Sequence, residues 1–288
     1  MIFASLIGGI VGFLSGMFGV GGGFLLVPVL SAALGIPMQI AVGSTACYTL
    51  GPATVSMLSR RPRSGFIELP LILSGGLFVG VWGGAKAISL MATGTMITLF
   101  GRSVPAVDLL VLTSYAGLMV AIATMSLVDS RRSASLTPVP RKGLISAVHL
   151  WPMAKIPDLR PGIYSIPLLA WMGLCVGLVS GFLGMSGGLL LVPASIYLLG
   201  LRVRDAATVT ITIVWLVSLQ STLMHALYGN VQRSLVVALL VCGTIGAGIG
   251  TQFGEKLKGA QLNFGFGLLV ATSAAIVMGK LFVLFAQA

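Results

Sequence analysis

Two glycine-rich segments, Gly19-Val20-Gly21-Gly22-Gly23 and Gly184-Met185-Ser186-Gly187-Gly188, interrupt apolar stretches of this 288-residue chain. Its chemistry is expected there. Glycine is a poor helix former and lets a ligand come close to the main chain. Main chain that leaves the helix inside a hydrocarbon environment is tolerated only where protein buries it or where it lines a polar cavity. A helix restarting after each segment, near Phe24 or Leu189, presents free N–H groups and the positive end of its dipole, which suits an anion without any formal positive charge. The candidate anion-binding main chain is therefore Gly19, Gly21, Gly22 and Gly23 in the first segment, and Gly184, Gly187 and Gly188 in the second. Ser186 adds a hydroxyl there. A plainer use of the same glycines is to let two helices turn tightly.

Hydroxyl side chains are the other candidates. Ser15 and Ser180 precede the two segments. Ser44, Thr45 and Thr49 follow the first, and Thr208, Thr210 and Thr212 follow the second, with Gln220 and His225 further along. Polar residues at membrane depth are often functional, but Ser and Thr also bond the carbonyls of their own helix. The candidate substrate-binding hydroxyls are Ser15, Ser44, Thr45, Ser180, Ser186, Thr208 and Thr210. His225 has the chemistry of a proton relay, yet its place near a helix end reads as an interfacial histidine. Asp108 and Asp205 read as first-turn carboxylates at positive dipole ends. No nucleophile–base pair, paired carboxylates or metal-ligand spacing occurs at membrane depth, so no catalytic residue, metal or cofactor is expected. Cys47, Cys175 and Cys242 are solitary and read as small apolar residues.

These residues have to be positioned by membrane helices. The chain is 57% hydrophobic and 8% charged, with a mean hydropathy of +1.06, whereas a soluble domain carries about 25% charged residues. A spanning helix needs ~20 mostly apolar residues. Such stretches fall near 40–59, 67–92, 106–128, 206–229, 232–253 and 263–286. Two longer stretches, 3–35 and 163–200, contain the glycine segments and read as hairpins of two helices, either fully crossing or re-entrant. The first residues, Met1 to Phe18, lack a basic region and a small-residue cleavage site, so they read as membrane helix and not as a removable leader.

A formal charge of +11 invites a nucleic-acid reading, but no basic stripe with interleaved aromatics occurs. The basic residues lie in short loops. Tracing the spans puts Arg60, Arg61, Arg63, Arg131, Arg132, Arg141, Lys142, Lys155, Arg160, Arg202, Arg204, Lys256 and Lys258 on one side. Arg102 and Arg233 fall on the other, with Lys86 and Lys280 near helix ends facing it. The positive-inside rule makes the first side cytoplasmic and the two termini periplasmic.

The sequence also matches itself at an offset of 165 residues. GFLSGMFGVGGGFLLVPVLSAALG at 12–35 and GLVSGFLGMSGGLLLVPASIYLLG at 177–200 share 12 of 24 positions, including Pro28 and Pro193, which should kink the restarting helices. A weaker echo matches Gly76, Gly80, Gly84 and Lys86 to Gly246, Gly250, Gly254 and Lys256, with glycines every fourth residue, as close helix packing requires. Each half holds one hairpin and three spans, an odd number of crossings, so the repeats are inverted. The expected fold is an all-α polytopic membrane protein: a first repeat at 1–128, a cytoplasmic linker at 129–162 and a second repeat at 163–288. Inverted repeats with broken helices are typical of secondary transporters.

The doubled motif, GxxSGxxGxGGG at Gly12–Gly23 with Pro28 after it and its second copy from Gly177 to Pro193, resembles the sulfite exporter TauE/SafE family of permeases. The resemblance extends over essentially the whole chain. It implies a transporter of the bacterial inner membrane that moves sulfite, an organosulfonate or a related sulfur-containing organic anion, with coupling to the proton-motive force. Ser186 stands where the family favours glycine, so the two half-sites differ. The expected partners are a small anion and membrane lipid, with no nucleic acid. Alternating access between the repeats is the leading mechanism; an uncoupled anion channel, or a membrane enzyme or assembly factor, are the competing readings.

Overall fold

The computed structural model describes residues 2–60, 65–92, 96–99, 102–133, 150–156, 163–257 and 259–286. Arg61, Arg63, Arg141, Lys142, Arg160 and Lys258, used above to orient the chain, lie outside the described residues. The helices are α1 (Ile2–Phe18), α2 (Gly23–Ala33), α3 (Met38–Arg60), α4 (Gly65–Ala92), α5 (Ala106–Ser133), α6 (Ile166–Leu183), α7 (Gly188–Tyr197), α8 (Val203–Leu227), α9 (Arg233–Lys256) and α10 (Gly259–Ala286). The protein is all-α and polytopic. Two short antiparallel strand pairs, β1 (Met96–Leu99) with β2 (Arg102–Pro105) and β3 (Met153–Lys155) with β4 (Ile163–Ser165), were not anticipated from the sequence and stand outside the helices.

Both long apolar stretches break where glycine makes helix costly. The first ends α1 at Phe18 and restarts at Gly23; the second ends α6 at Leu183 and restarts at Gly188. Among the described residues, α4, α5, α6, α8 and α9 are long and apolar enough to cross a membrane. α3 is not among them, although it has 23 residues. It carries Ser44, Thr45, Thr49 and Ser56, all buried, so its polar groups face other helices and not lipid. α8 is the most enclosed of the five apolar helices. α3 and α8 pack on each other and form the centre.

The outer helices pack through glycine. α1 packs most extensively on α9, and α4 on α6. Gly8, Gly12 and Gly16 meet the main chain of Leu239, Gly243 and Ala247, while Gly246, Gly250 and Gly254 meet that of Gly9, Phe13 and Met17. Residue numbers rise together, so α1 and α9 run parallel. On α4 and α6, Gly76, Gly80 and Gly84 meet Ala170, Leu174 and Leu178, and Gly173, Gly177 and Gly181 meet Leu73, Leu77 and Val81, again in parallel. Lipid tails are as apolar as leucine, so such helices are held by close van der Waals packing and not by a hydrophobic drive. Adding side-chain atoms at these seams would force the helices apart, at ~1–3 kcal/mol per site. α3 also packs extensively on α9, α8 on α4 and α5 on α10. Numerous large apolar side chains, among them Phe78, Leu223, Ile245 and Phe253, face outward, as a lipid-facing surface requires.

Candidate functional site

Each break is built from left-handed main chain. Gly19 turns the chain at φ 73°, and its N–H still bonds the Ser15 carbonyl at 2.8 Å. Gly21 and Gly22 follow at φ 83° and 68°, and Gly22 is the residue before α2, with no side chain capping that helix. The second break repeats the path: Gly184 at φ 66° bonds the Ser180 carbonyl at 2.8 Å, and Gly187 at φ 73° precedes α7, also without a side-chain cap. Ser186 takes the place of Gly21 and adopts φ 56°. A side chain in that region costs ~1–2 kcal/mol, so the fold imposes the turn even where the sequence does not supply glycine.

The two breaks touch. A Cβ built on Gly23 would lie 3.1 Å from the Met185 carbonyl carbon and 3.2 Å from the Gly184 oxygen. A Cβ on Gly188 would fall on the Val20 carbonyl oxygen. α3 and α8 flank this junction: Gly21 sits against Thr49 of α3 and Val214 of α8, Gly19 against Ala207 of α8, and Gly184 against Val42 of α3. Gly22 packs on Ser15, and Gly187 on Ser180.

Five of the seven candidate hydroxyls are buried there without a partner. Ser15, Thr45, Ser180, Ser186 and Thr210 are at most 2% exposed, and their hydroxyl oxygens make no hydrogen bond. Four of them form two repeat-related pairs, Ser15 with Ser180 and Thr45 with Thr210. A buried unpaired hydroxyl costs ~1–3 kcal/mol, and the neighbouring Thr49 avoids that cost by donating to the Thr45 carbonyl at 2.8 Å. The other two candidates are engaged: Ser44 accepts from the Gln232 N–H at 3.0 Å, and half-buried Thr208 has an interaction of its own. All five hydroxyls are closed off from solvent. An apolar groove lined by Gly9, Ile10, Phe13, Ile245 and Ile249 lies apart from them, between α1 and α9.

His225 requires a correction. It is not interfacial but completely buried, because α6 and the α8–α9 turn cover it. The imidazole lies by the Gly181 carbonyl, its Nδ1 is 3.4 Å from Asn230 Nδ2, and Asn230 Oδ1 accepts from Gln39 Nε2. Nε2 itself has no partner at bonding geometry. Arg60, read from the sequence only as a loop charge, folds inward and donates from a terminal nitrogen to the Gly16 carbonyl at 3.0 Å and toward that of Met17 at 3.5 Å. Sequence reasoning missed this correspondence: 60 and 225 are separated by the same 165 residues as 16 and 181.

The sequence model of the sulfite exporter TauE/SafE family matches residues 4–277. The chain belongs to the sulfite exporter TauE/SafE family. It is thus a multi-pass membrane permease. A probable membrane transporter protein of Xylella fastidiosa (strain 9a5c) is 24% identical over 282 residues, covering 95% of this chain and 93% of that protein. A probable membrane transporter protein from Xylella fastidiosa (strain Temecula1 / ATCC 700964) is 26% identical over 277 residues, with the same coverage. No solved structure matches the chain.

Proposed function

We propose that this permease is a secondary transporter for a small sulfur-containing oxyanion, sulfite or an organosulfonate, working by alternating access between two inverted halves, 1–128 and 163–288, joined by the linker 129–162. The observation that carries the reading is the set of five buried, unpartnered hydroxyls gathered on two touching glycine breaks. Hydroxyl donors beside two uncapped helix N-termini suit an oxyanion's several acceptor oxygens. The exchange of helices, α1 onto α9 and α4 onto α6, supports a two-fold relation between the halves. The membrane is the bacterial inner membrane, with the Arg60 face cytoplasmic and the termini periplasmic. The buried junction favours a carrier over an open channel.

The chemistry also narrows the substrate. The donors are neutral, and the cost of taking an ion out of water rises with the square of its charge. A singly charged form, a sulfonate or protonated sulfite, fits better than sulfate. Proteoliposomes loaded with sulfite, an alkanesulfonate, sulfate or a carboxylate, with and without a pH gradient, test this. Saturable flux and counterflow of the monoanions are expected, accelerated by the pH gradient. Flux without saturation or counterflow would replace the carrier with a channel, and no anion flux would overturn the reading.

A further inference from the structure

α3 and α8 carry matching polar faces that leave the junction in opposite directions. On α3, Thr45, Thr49, Ala53, Ser56 and Arg60 recur at spacings of four, four, three and four residues; on α8, Thr210, Val214, Ser218, Ser221 and His225 do the same. Such spacing keeps each set on one side of its helix. The first four members of each row are essentially inaccessible, and Ser218 and Ser221 have unpartnered hydroxyls like Thr210. Each row begins beside the breaks and ends on a basic side chain: Arg60 donates to the Gly16 carbonyl of α1 at 3.0 Å, whereas His225 lies by Gly181 of α6 with its Nε2 at no bonding geometry. The substrate reading requires a route to a buried site from either face, and these rows are the polar lines that lead out.

We propose that Arg60 is a gate of the transport route: its bond to the Gly16 carbonyl latches α1 shut across the α3 row on one face. The inference rests on the carrier reading above and adds the residue that controls access. The two row ends are unequal. The Glu255 carboxylate of α9 attracts Arg60 electrostatically. Thr251 of the same helix donates to the Ala247 carbonyl at 2.8 Å and lies 3.0 Å from the Ser56 hydroxyl and 3.3 Å from the Gly16 carbonyl. His225 is backed only by the uncharged Asn230 and Gln39 among the contacts described. Release of the α8 row therefore needs fewer bonds broken than release of the α3 row. Arg60 is a permanent cation with its Nε–H unpartnered, so an arriving anion competes with the Gly16 carbonyl for the guanidinium and favours opening on that face.

The test is side-specific labelling in a chain whose Cys47, Cys175 and Cys242 are replaced by alanine, with Ser56→Cys or Ser221→Cys as the reporter. A membrane-impermeant maleimide is applied to each face of oriented vesicles. Arg60→Met, which keeps the buried bulk but cannot donate, is expected to speed labelling of Ser56→Cys from the Arg60 face by about fivefold, the population shift that follows loss of one ordinary hydrogen bond. Labelling of Ser221→Cys from the opposite face should slow. Arg60→Lys keeps a donor, and His225→Phe removes no bond to α6; both should label as the parent does. Should Arg60→Met misfold, Thr251→Val removes the hydroxyl that lies 3.3 Å from the Gly16 carbonyl and should act in the same direction. Unchanged rates, or both faces opening together, would overturn the gate. The readout needs no transported anion: reciprocal labelling without flux would keep the gate and reject the substrate, whereas flux with unchanged labelling would do the opposite.

Discussion

Replacing Thr45 and Thr210 by valine should stabilise the empty protein while weakening its anion binding. Valine matches threonine in shape and lacks only the hydroxyl, and both hydroxyls are fully buried without a partner. Removing an unsatisfied buried polar group returns ~1 kcal/mol or more per site. The double variant should therefore melt about 4–8 °C higher, at about 2–4 °C per kcal/mol for a chain of this size class. The bound state responds oppositely. A hydrogen bond to a charged group contributes ~1.5–3 kcal/mol, so losing two weakens affinity by roughly 100-fold or more. An anion present at about 100 times its dissociation constant stabilises the parent by ~2.7 kcal/mol; at the same concentration the variant would gain about 0.4 kcal/mol. Thermal unfolding in detergent, with and without sulfite or an alkanesulfonate, reads both effects. Thr49→Val is the control, since that hydroxyl already bonds the Thr45 carbonyl; its loss should lower the melting temperature. A double variant that melts lower and keeps the full anion-dependent shift would refute the reasoning.

Gly188→Ala sets propensity against packing. Alanine favours the first turn of α7 by ~1 kcal/mol, but its methyl would fall on the Val20 carbonyl oxygen, and overpacking costs ~1–3 kcal/mol. The variant should therefore melt lower and lose flux, while Gly75→Ala, with nothing near the new methyl, should melt at the same temperature or higher. Ser186→Gly should relieve ~1–2 kcal/mol of left-handed strain yet reduce anion affinity roughly tenfold through the lost donor, measurable as a raised half-saturation in proteoliposome flux. Gly12→Leu should disrupt the α1–α9 seam, because even a Cβ there meets the Gly243 main chain; reduced folded yield after detergent extraction is the expected result.

The helices and their interruptions were legible in the residues because both are local properties. Hydropathy over some twenty residues sets a span, and clustered glycine sets a break whatever lies nearby. The expected stretch 67–92 became α4 at Gly65–Ala92, and 232–253 became α9 at Arg233–Lys256. The glycines recurring every fourth residue also announced close packing, though not which helix would receive them. The 165-residue repeat placed Ser15 opposite Ser180, but it left the threonines of the following helices unpaired. It did not reveal that Arg60 and His225 end equivalent rows, since an arginine near a loop reads as a topogenic charge and a histidine near a helix end reads as interfacial.

What only the tertiary structure decided is which groups meet and which stay unpaired. Gly188 lies beside Val20, 168 positions earlier in the chain, through the packing of α1 on α9, α4 on α6 and α3 on α8, and no local rule specifies such a meeting. Satisfaction of a hydroxyl depends on its rotamer and on what faces it. Thr49 bonds the carbonyl four residues back, whereas Thr45, on the same helix, does not. Burial follows the same logic: α6 and Asn230 enclose His225, which its own helix would have left near the surface. The sequence by itself determined the membrane helices, the two breaks and the Ser15–Ser180 pair, because composition and spacing act over one or two turns. The touching breaks, the unpaired donors and the inward Arg60 and His225 arise from contacts between distant segments, which exist only once the helices have packed.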